Sequence, residues 1–378
     1  MQELSRQKGG VSMPLGKILL TVRKNLKLSL EHVSTHTGIG VSSLSDFENE
    51  KRPPSLNQLQ TLASFYHKPL SFFFEESEPQ PLEAIIWRNK PNSPKRELLE
   101  AEFTQLCEQY YNLEVWTNNH AVSTFKKLFV NQPINNISEV EVLAADISRR
   151  MGLGDYPAPV LLRILEECYD VKIFHLDLGD DGISACHFDE TYGAAILLNR
   201  NKKRWRRNFD LAHELFHLLI WKVSEREDKK ESVPEEKLAQ HFAGCLLMPS
   251  EKVKEAIESA RNPEGKVSFD KFDDIARLFD VSLDALLLRL KILYGIPNEL
   301  YEKLKNKADS CKEPREDSPA DFYPERYRSL ADQALRNGEI SIGRYIEYLK
   351  YLKITRKKAE EILSSNVLEP IEVPASHF

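Results

Sequence analysis

Paired cysteines are missing from this 378-residue chain. Its five cysteines lie far apart and include no C-x-x-C pair, so the sequence predicts neither a disulfide framework nor a thiolate zinc site. Widely spaced, unpaired cysteines are typical of proteins of the reducing cytosol. We therefore expect a cytoplasmic protein with free thiols.

Long apolar runs and a strong excess of one charge are also missing. The N-terminal MQELSRQKGGVS lacks the apolar core of a signal peptide, and no stretch approaches the roughly 20 apolar residues of a membrane span. The 52 basic and 58 acidic residues give a net charge of −6, which by itself indicates neither a nucleic-acid nor a membrane partner. We expect an ordinary globular protein with no membrane partner.

Two polar, proline-bearing segments, residues 77–96 and 305–324, divide the chain. Three short segments rich in β-branched and apolar residues predict a small mixed sheet within a mainly helical α+β fold. These strands are expected over residues 171–178, 183–188 and 194–199. The expected domains are a five-helix N-terminal module (1–76), a linker and helical connector (77–137), the sheet-bearing domain (138–296), and a charged linker with a helical C-terminal module (297–378).

Apolar residues recur every three or four positions in the segments that flank the predicted strands, which indicates helices. Pro234 suits the first turn of one of them and Pro249 suits its stop. In residues 272–293 the spacing of apolar residues predicts two further helices, which we expect to pack against the sheet-bearing domain and support it. The other expected helices are 97–116, 138–150, 158–169, about 208–221 and about 234–247.

The segment HELFH holds two histidines four residues apart, His213 and His217. On a helix these positions lie about 40° apart around the axis and one turn along, so both imidazoles can reach one metal ion. Glu214 projects about 100° from His213 and can approach a metal-bound water without binding the ion. Two histidine ligands beside a glutamate base are the chemistry of metal-dependent peptide hydrolysis, with Zn²⁺ expected and Mn²⁺ as the alternative ion. The competing interpretation is a pair of core or surface histidines.

A catalytic zinc site takes three protein ligands and keeps one position open. The next predicted helix offers three candidates for the third ligand: Glu235, Glu236 and His241. Ala239 and Ala243 mark the face of this helix that can approach a neighbour closely, and Glu236 lies on that face. An extended substrate could pair with strand 183–188 or with strand 194–199, and the sequence leaves the choice of edge open.

The whole constellation resembles the ImmA/IrrE family of metallo-endopeptidases. The resemblance rests on RRNFDLAHELFHLL, on the strand AAILLN before it, and on E-x-x-A-x-x-F-A-x-x-L-L-M-P after it. It implies that His213, His217 and Glu236 are metal ligands and that Glu214 is the base. Such peptidases cleave a repressor protein and release its target genes.

Two positions depart from the pattern of this family. Phe216 stands where the family usually has Gly, and Gln240 stands where it usually has Asn. Neither departure removes a ligand, although a phenylalanine can reshape the site.

Residues 15–74 resemble the XRE-type helix-turn-helix of phage repressors. Ser29 suits the cap of a second helix, and VSSLSDFENE is the expected reader of the major groove. The segment has seven basic and four acidic residues, a net charge of +3 (7 − 4). Leu30 and Glu50 depart from the usual Gln and Gly of this module. The residues expected at bases or phosphates are Arg23, Ser42, Ser43, Asp46, Asn49, Lys51 and Arg52.

These patterns predict a DNA-binding regulator with a zinc-type metallo-endopeptidase activity. Its expected partners are duplex DNA and a protein substrate, a small helix-turn-helix repressor, and a homodimer is left open. The first alternative is a non-hydrolytic, DNA-binding regulator whose metal site is structural or sensory. The second is an antitoxin-like binding protein. For the helix-turn-helix module itself, the alternative is a fold used for protein contact or dimerisation. The intact His-Glu-His-Glu set favours the peptidase.

Overall fold

A computed structural model of the chain describes residues 13–68, 70–74, 85–88, 95–119, 124–179, 184–224, 233–310, 315, 317 and 319–364. Contacts divide the chain into two compact units, the first of residues 1–85 and 90–108 and the second of residues 86–89 and 109–378. The predicted mainly helical α+β fold is confirmed. None of the helices in the described ranges is long and apolar enough to cross a membrane.

The first unit begins with four helices, α1 (Leu15–Asn25), α2 (Leu30–Thr37), α3 (Val41–Glu48) and α4 (Leu56–Phe65). Ser29 caps α2, because its hydroxyl accepts a hydrogen bond from the backbone N–H of His32 at 3.1 Å. The expected fifth helix is a short 3₁₀ turn, Leu70–Phe74. Three successive aromatic residues there bury only Phe73, a pattern that suits a single turn.

Helix α1 approaches the end of α3 so closely that only glycine fits at the contact. A Cβ added to Gly16 would lie 2.5 Å from the carbonyl oxygen of Phe47. The chain leaves α3 with Glu50 in the left-handed region, at φ 60°. This conformation explains why glycine is usual after the third helix of such modules, since glycine adopts it without steric cost.

The second unit contains one sheet of four strands, β1 (Ile86–Trp87), β2 (Lys172–Leu176), β3 (Ser184–Asp189) and β4 (Gly193–Asn199). Their order is β1-β3-β4-β2, with β3 antiparallel to both neighbours and β2 parallel to β4. Strand β1 falls in the segment expected to be a linker. Two residues are too few to show an alternating pattern, so the sequence carried no signal for it.

The helices after β1 follow the predicted series with shifted ends. The expected helix at about 208–221 begins earlier, at Arg204, and gives way to a separate short helix after Leu219. The last helix of the scaffold runs to Ser310, into the segment expected to be a linker. The helices are α5 (Lys95–Trp116), α6 (Ile137–Met151), α7 (Ala158–Tyr169), α8 (Arg204–Leu219), α9 (Trp221–Ser224), α10 (Glu235–Leu247), α11 (Ser250–Ser259), α12 (Phe269–Leu278), α13 (Leu283–Tyr294), α14 (Asn298–Ser310), α15 (Glu325–Arg336), α16 (Ile342–Tyr348) and α17 (Arg356–Ser364).

Helix α8 lies at the centre of the main core, against β3, β4 and α10. Its apolar side chains from Phe209 to Leu219 are buried, and so are Ala239 and Ala243 of α10. The small side chains allow the two helix backbones to approach closely. The sheet and α10 therefore hold α8 from two sides and fix the positions of its polar residues.

The close approach at Gly16 leads to a stability prediction. Gly16→Ala should destabilise the first unit by about 1–3 kcal/mol, because the methyl group overlaps a backbone carbonyl that cannot move without displacing α3. Hydrogen exchange of the α1 and α3 amides in the full chain measures this loss. Gly40→Ala is the matched control, since Gly40 has a negative φ and no atom within 4 Å of an added Cβ. If the α1 and α3 amides were equally protected from hydrogen exchange in both variants, the predicted clash would be contradicted.

Candidate metal centre

Three potential metal ligands converge where α8 meets the first turn of α10. The Nε2 atoms of His213 and His217 lie 3.2 Å apart. Oε2 of Glu236 lies 3.2 Å from Nε2 of His213, and Oε1 of Glu236 lies 3.5 Å from Nε2 of His217. Ligands bound tetrahedrally at about 2.1 Å stand about 3.4 Å from one another, so this donor set fits a zinc-sized ion.

The protonation states of His213 and Glu236 suit metal binding. Burial lowers the pKa of His213 to about 4, so that imidazole is neutral and has a free lone pair. The hydrogen bond with His213 lowers the pKa of Glu236, which keeps this carboxylate charged. The Glu236 side chain is 57% exposed, so the centre is open to solvent on the α10 side. A catalytic site needs such an open position.

Glu214 is fully buried beside the ligands, with its two oxygens in different surroundings. Oε1 accepts a hydrogen bond of 2.6 Å from the hydroxyl of Ser184 on β3. Oε2 has no hydrogen-bond partner within the described ranges. Burial raises the pKa of Glu214 to about 7, close to the value that suits a general base at neutral pH. One oxygen is thus fixed and the other is available to a water molecule.

Sequence reasoning missed the role of Glu235. The sequence offers it only as a candidate third ligand, although it projects about 100° from Glu236 around the helix. In the structure its Oε1 lies 2.9 Å from Nδ1 of His217, on the opposite side of the ring from the ligand nitrogen. Burial alone would lower the pKa of His217, but this hydrogen bond and the nearby carboxylates raise it overall. Glu235 is therefore placed to orient a candidate ligand, as carboxylates behind metal-binding histidines commonly do.

His241, the third sequence candidate on α10, lies outside the triad of His213, His217 and Glu236. Its Nε2 is 3.3 Å from the sulfur of Cys245 and 3.6 Å from Oε1 of Glu141. The guanidinium of Arg289 donates to the same Glu141 oxygen at 3.1 Å and already balances its charge. His241 thus belongs to a separate polar cluster.

A second missed residue, Arg88, reaches the site from β1. Its guanidinium forms an ion pair with Asp210, which is one turn before His213 on α8 and is itself buried. Arg206 completes the group, with its Nε 3.2 Å from Oδ1 of Asp210. Arg88 and Asp210 are 122 positions apart in the chain, so no local pattern could have paired them.

The structure explains why the phenylalanine of HELFH is tolerated. Phe216 is fully buried and packs on Phe242 of α10, with ring centroids 5.5 Å apart. The side chain fills the core between the two helices and leaves the ligand face free. Gln240, the other departure, is exposed on α10.

One expected DNA contact is corrected. Arg23 binds both oxygens of Glu48 at 2.6 Å and the carbonyl of Leu28 at 2.8 Å, so its guanidinium is used within the module and is not free for a phosphate. Asn49 donates to the carbonyl of Ser45 at the end of α3, a capping role that leaves its side chain exposed.

The remaining expected contacts lie on or directly after α3. Lys51 and Arg52 are exposed, as phosphate contacts must be. Arg52 also donates to the hydroxyl of Ser43 at 2.8 Å. Ser42 is exposed and Asp46 is partly exposed on the same helix. Base contact by these residues stays a prediction.

The geometry defines a helix-turn-helix module followed by a domain with a potential metallopeptidase site. Comparison with family models agrees with both parts. Residues 19–73 match the helix-turn-helix model, and residues 166–291 match a peptidase family described as the IrrE N-terminal-like domain. The two matches support a helix-turn-helix plus ImmA/IrrE architecture.

Among solved structures, the chain is similar to a Mycobacterium tuberculosis transcriptional regulator, at 16% identity and a TM-score of 0.31. The similarity covers 48% of this chain and 51% of the other, so the chain spans about half the length of that protein. No curated protein matches the chain.

The ligand geometry predicts a graded effect of substitutions on α10. Glu236→Ala removes a ligand and should weaken zinc binding at this centre by more than about 100-fold, whereas Glu235→Ala only frees the His217 ring and should weaken it by about 10- to 100-fold. Competition titration with a zinc-binding dye on the purified variants measures both constants. Gln240→Ala, on the exposed side of α10, is the control and should bind as the original chain does. Unchanged affinity in Glu236→Ala would place the third ligand elsewhere.

Proposed function

We propose that the protein is a cytoplasmic DNA-binding regulator whose zinc-type centre hydrolyses a peptide bond in a repressor protein. The observation that carries the hydrolytic part is the convergence of His213, His217 and Glu236 beside a buried Glu214 that keeps one oxygen free. The peptidase family match and the helix-turn-helix match support the two halves of the proposal.

The three ligands would hold a Zn²⁺ ion, which on binding lowers the pKa of water and polarises a carbonyl group. Glu214 would take a proton from the attacking water through Oε2, while Ser184 holds Oε1 in place. The water oxygen bonds to the carbonyl carbon, the C–N bond breaks, and the proton passes from Glu214 to the leaving amine. Water is consumed, and one new carboxyl group and one new amine are formed.

The choice of a repressor as substrate follows from the family resemblance and from the module joined to the peptidase domain. A metal site used only for structure or sensing does not require a base. Here Glu214 is desolvated at a cost that its bond to Ser184 offsets only in part. The same argument weighs against an antitoxin-like binding role, in which the Glu214 carboxyl would have no function.

Substitution of the base tests the proposed hydrolysis. Glu214→Gln should keep the bound metal, because Glu214 is not a ligand, and should reduce cleavage of a co-expressed neighbour-encoded helix-turn-helix repressor by about 10³-fold or more, since amide nitrogen cannot accept the proton. Immunoblotting of the repressor together with metal analysis of the peptidase gives the result. Glu251→Gln, an exposed glutamate on α11, is the matched control. Cleavage by Glu214→Gln at the original rate would refute the peptidase.

We further propose that α3 reads duplex DNA. The exposed side of α3 and the following turn carry short polar and basic side chains, among them Ser42, Asn49, Lys51 and Arg52. Basic residues neutralise phosphates and release counterions, so binding of this kind weakens as salt rises.

The positions of the basic residues predict how binding changes. Arg52→Ala should lower affinity for the protein's own promoter region and reduce the slope of log affinity against log salt by about 0.9, as expected for one lost phosphate contact. Fluorescence anisotropy over a salt series measures this slope in the full chain. Arg149→Ala, which removes an exposed arginine of the second unit, is the control. An absence of promoter binding at low salt would favour protein contact as the role of the module.

A further inference from the structure

One side of strand β3 is covered only by the two-residue strand β1. Strand β4 is enclosed between β3 and β2, and β3 lies between β4 and β1, so neither strand that the sequence offered is an open edge. The hydroxyl of Ser184 on β3 donates to Glu214, and Cys186, on the same face of the strand, lies beside the same carboxyl group. The outer edge of β3 therefore lies directly beside the proposed reacting groups.

This outer edge is occupied by the protein's own strand β1. Ile86 pairs with Cys186 and Trp87 with Ala185 in antiparallel register. The backbone N–H of Arg88 continues the ladder by donating to the carbonyl of Ser184 at 3.1 Å. An extended segment bound by strand addition would use the same backbone groups of β3. Residues 86–88 therefore show that an extended segment can pair with β3 in antiparallel orientation.

The side chain of Arg88 supplies a specific contact in addition to the backbone pairing. Its guanidinium is 12% exposed and pairs with Asp210, whose side chain is 1% exposed. Asp210 lies on α8 one turn before the ligand His213, so this pocket for a basic side chain adjoins the candidate metal centre. Arg206 binds the same oxygen of Asp210 at 3.2 Å and would stay there if Arg88 left.

We propose that residues 86–88 act as an internal stand-in for the substrate, and that true substrates are extended protein segments that place an arginine or lysine against Asp210. This inference rests on the proposed peptidase function. The internal strand excludes other peptides from β3 until it is displaced, so it restrains the activity. An incoming basic side chain restores the partner that Asp210 loses, whereas a neutral one leaves a buried carboxylate only partly compensated.

The test uses binding rather than hydrolysis. The probe is a fluorescently labelled synthetic peptide EAIIWRNK, the sequence of residues 83–90, and every chain carries Glu214→Gln so that no cleavage occurs. In zinc-loaded full-length protein, Arg88→Ala should release the internal strand and bind the probe at least about 10-fold more tightly than the chain with Arg88, since a partly buried charge pair is worth more than 1.4 kcal/mol. The control variant Arg149→Ala should bind the probe no more tightly than the chain with Arg149.

A second peptide tests the chemistry of the pocket. The same probe with glutamine in place of its arginine should bind the Arg88→Ala chain about 10-fold more weakly, and Asp210→Asn should remove that preference. If Arg88→Ala does not fold, Ile86→Pro weakens β1 by removing a backbone N–H and takes its place. If the probe binds equally well to the chain with Arg88 and to the variant with the weakened strand, the proposal that β1 occupies the peptide-binding position is refuted. If the arginine and glutamine probes bind this variant equally well, the proposed preference for a basic side chain at Asp210 is refuted.

These outcomes are distinguishable from failure of the proposed function. Tight probe binding by the Arg88→Ala chain, together with repressor cleavage by Glu214→Gln at the original rate, would refute the proposed hydrolysis and leave β3 as a peptide-binding surface.

Discussion

The second unit depends on the burial of two imidazoles and a carboxyl group on one face of an otherwise apolar helix. His213, Glu214 and His217 are each at most 2% exposed. Such groups are costly to bury unless each finds a partner. Carboxyl groups on α10, a serine hydroxyl on β3 and, in our account, a metal ion supply these partners. The packing of α8 between the sheet and α10 is therefore also the assembly of the site.

The proximity of the candidate ligands was predictable because helical geometry fixes it locally. The i, i+4 spacing of His213 and His217 determines that their rings share a face, whatever the rest of the chain does. Glu236 followed from small residues on the same face of the next helix. Its placement 3.2 Å from His213 agrees with that reasoning, and the role as a ligand stays a proposal.

The supporting residues were not predictable, for a different physical reason. Ser184 and Arg88 reach α8 only through pairing of strands distant in the chain, and a two-residue strand such as β1 has no pattern of its own. Glu235 projects from α10 at a different helical angle from Glu236, yet its long side chain reaches the far side of the His217 ring. Arg23 shows the opposite error. The sequence suggested a cation free to bind phosphate, but in the structure it is paired with Glu48 within the same module.

Our central claim is that these residues form one metal centre with Glu214 as a neighbour and not a ligand. Anomalous X-ray diffraction from zinc-soaked crystals, recorded on both sides of the zinc absorption edge, tests it most directly. We predict a peak within about 2.2 Å of Nε2 of His213, Nε2 of His217 and one carboxylate oxygen of Glu236, with Glu214 outside that distance. A peak bound to Glu214, or no peak between α8 and α10, would contradict the account.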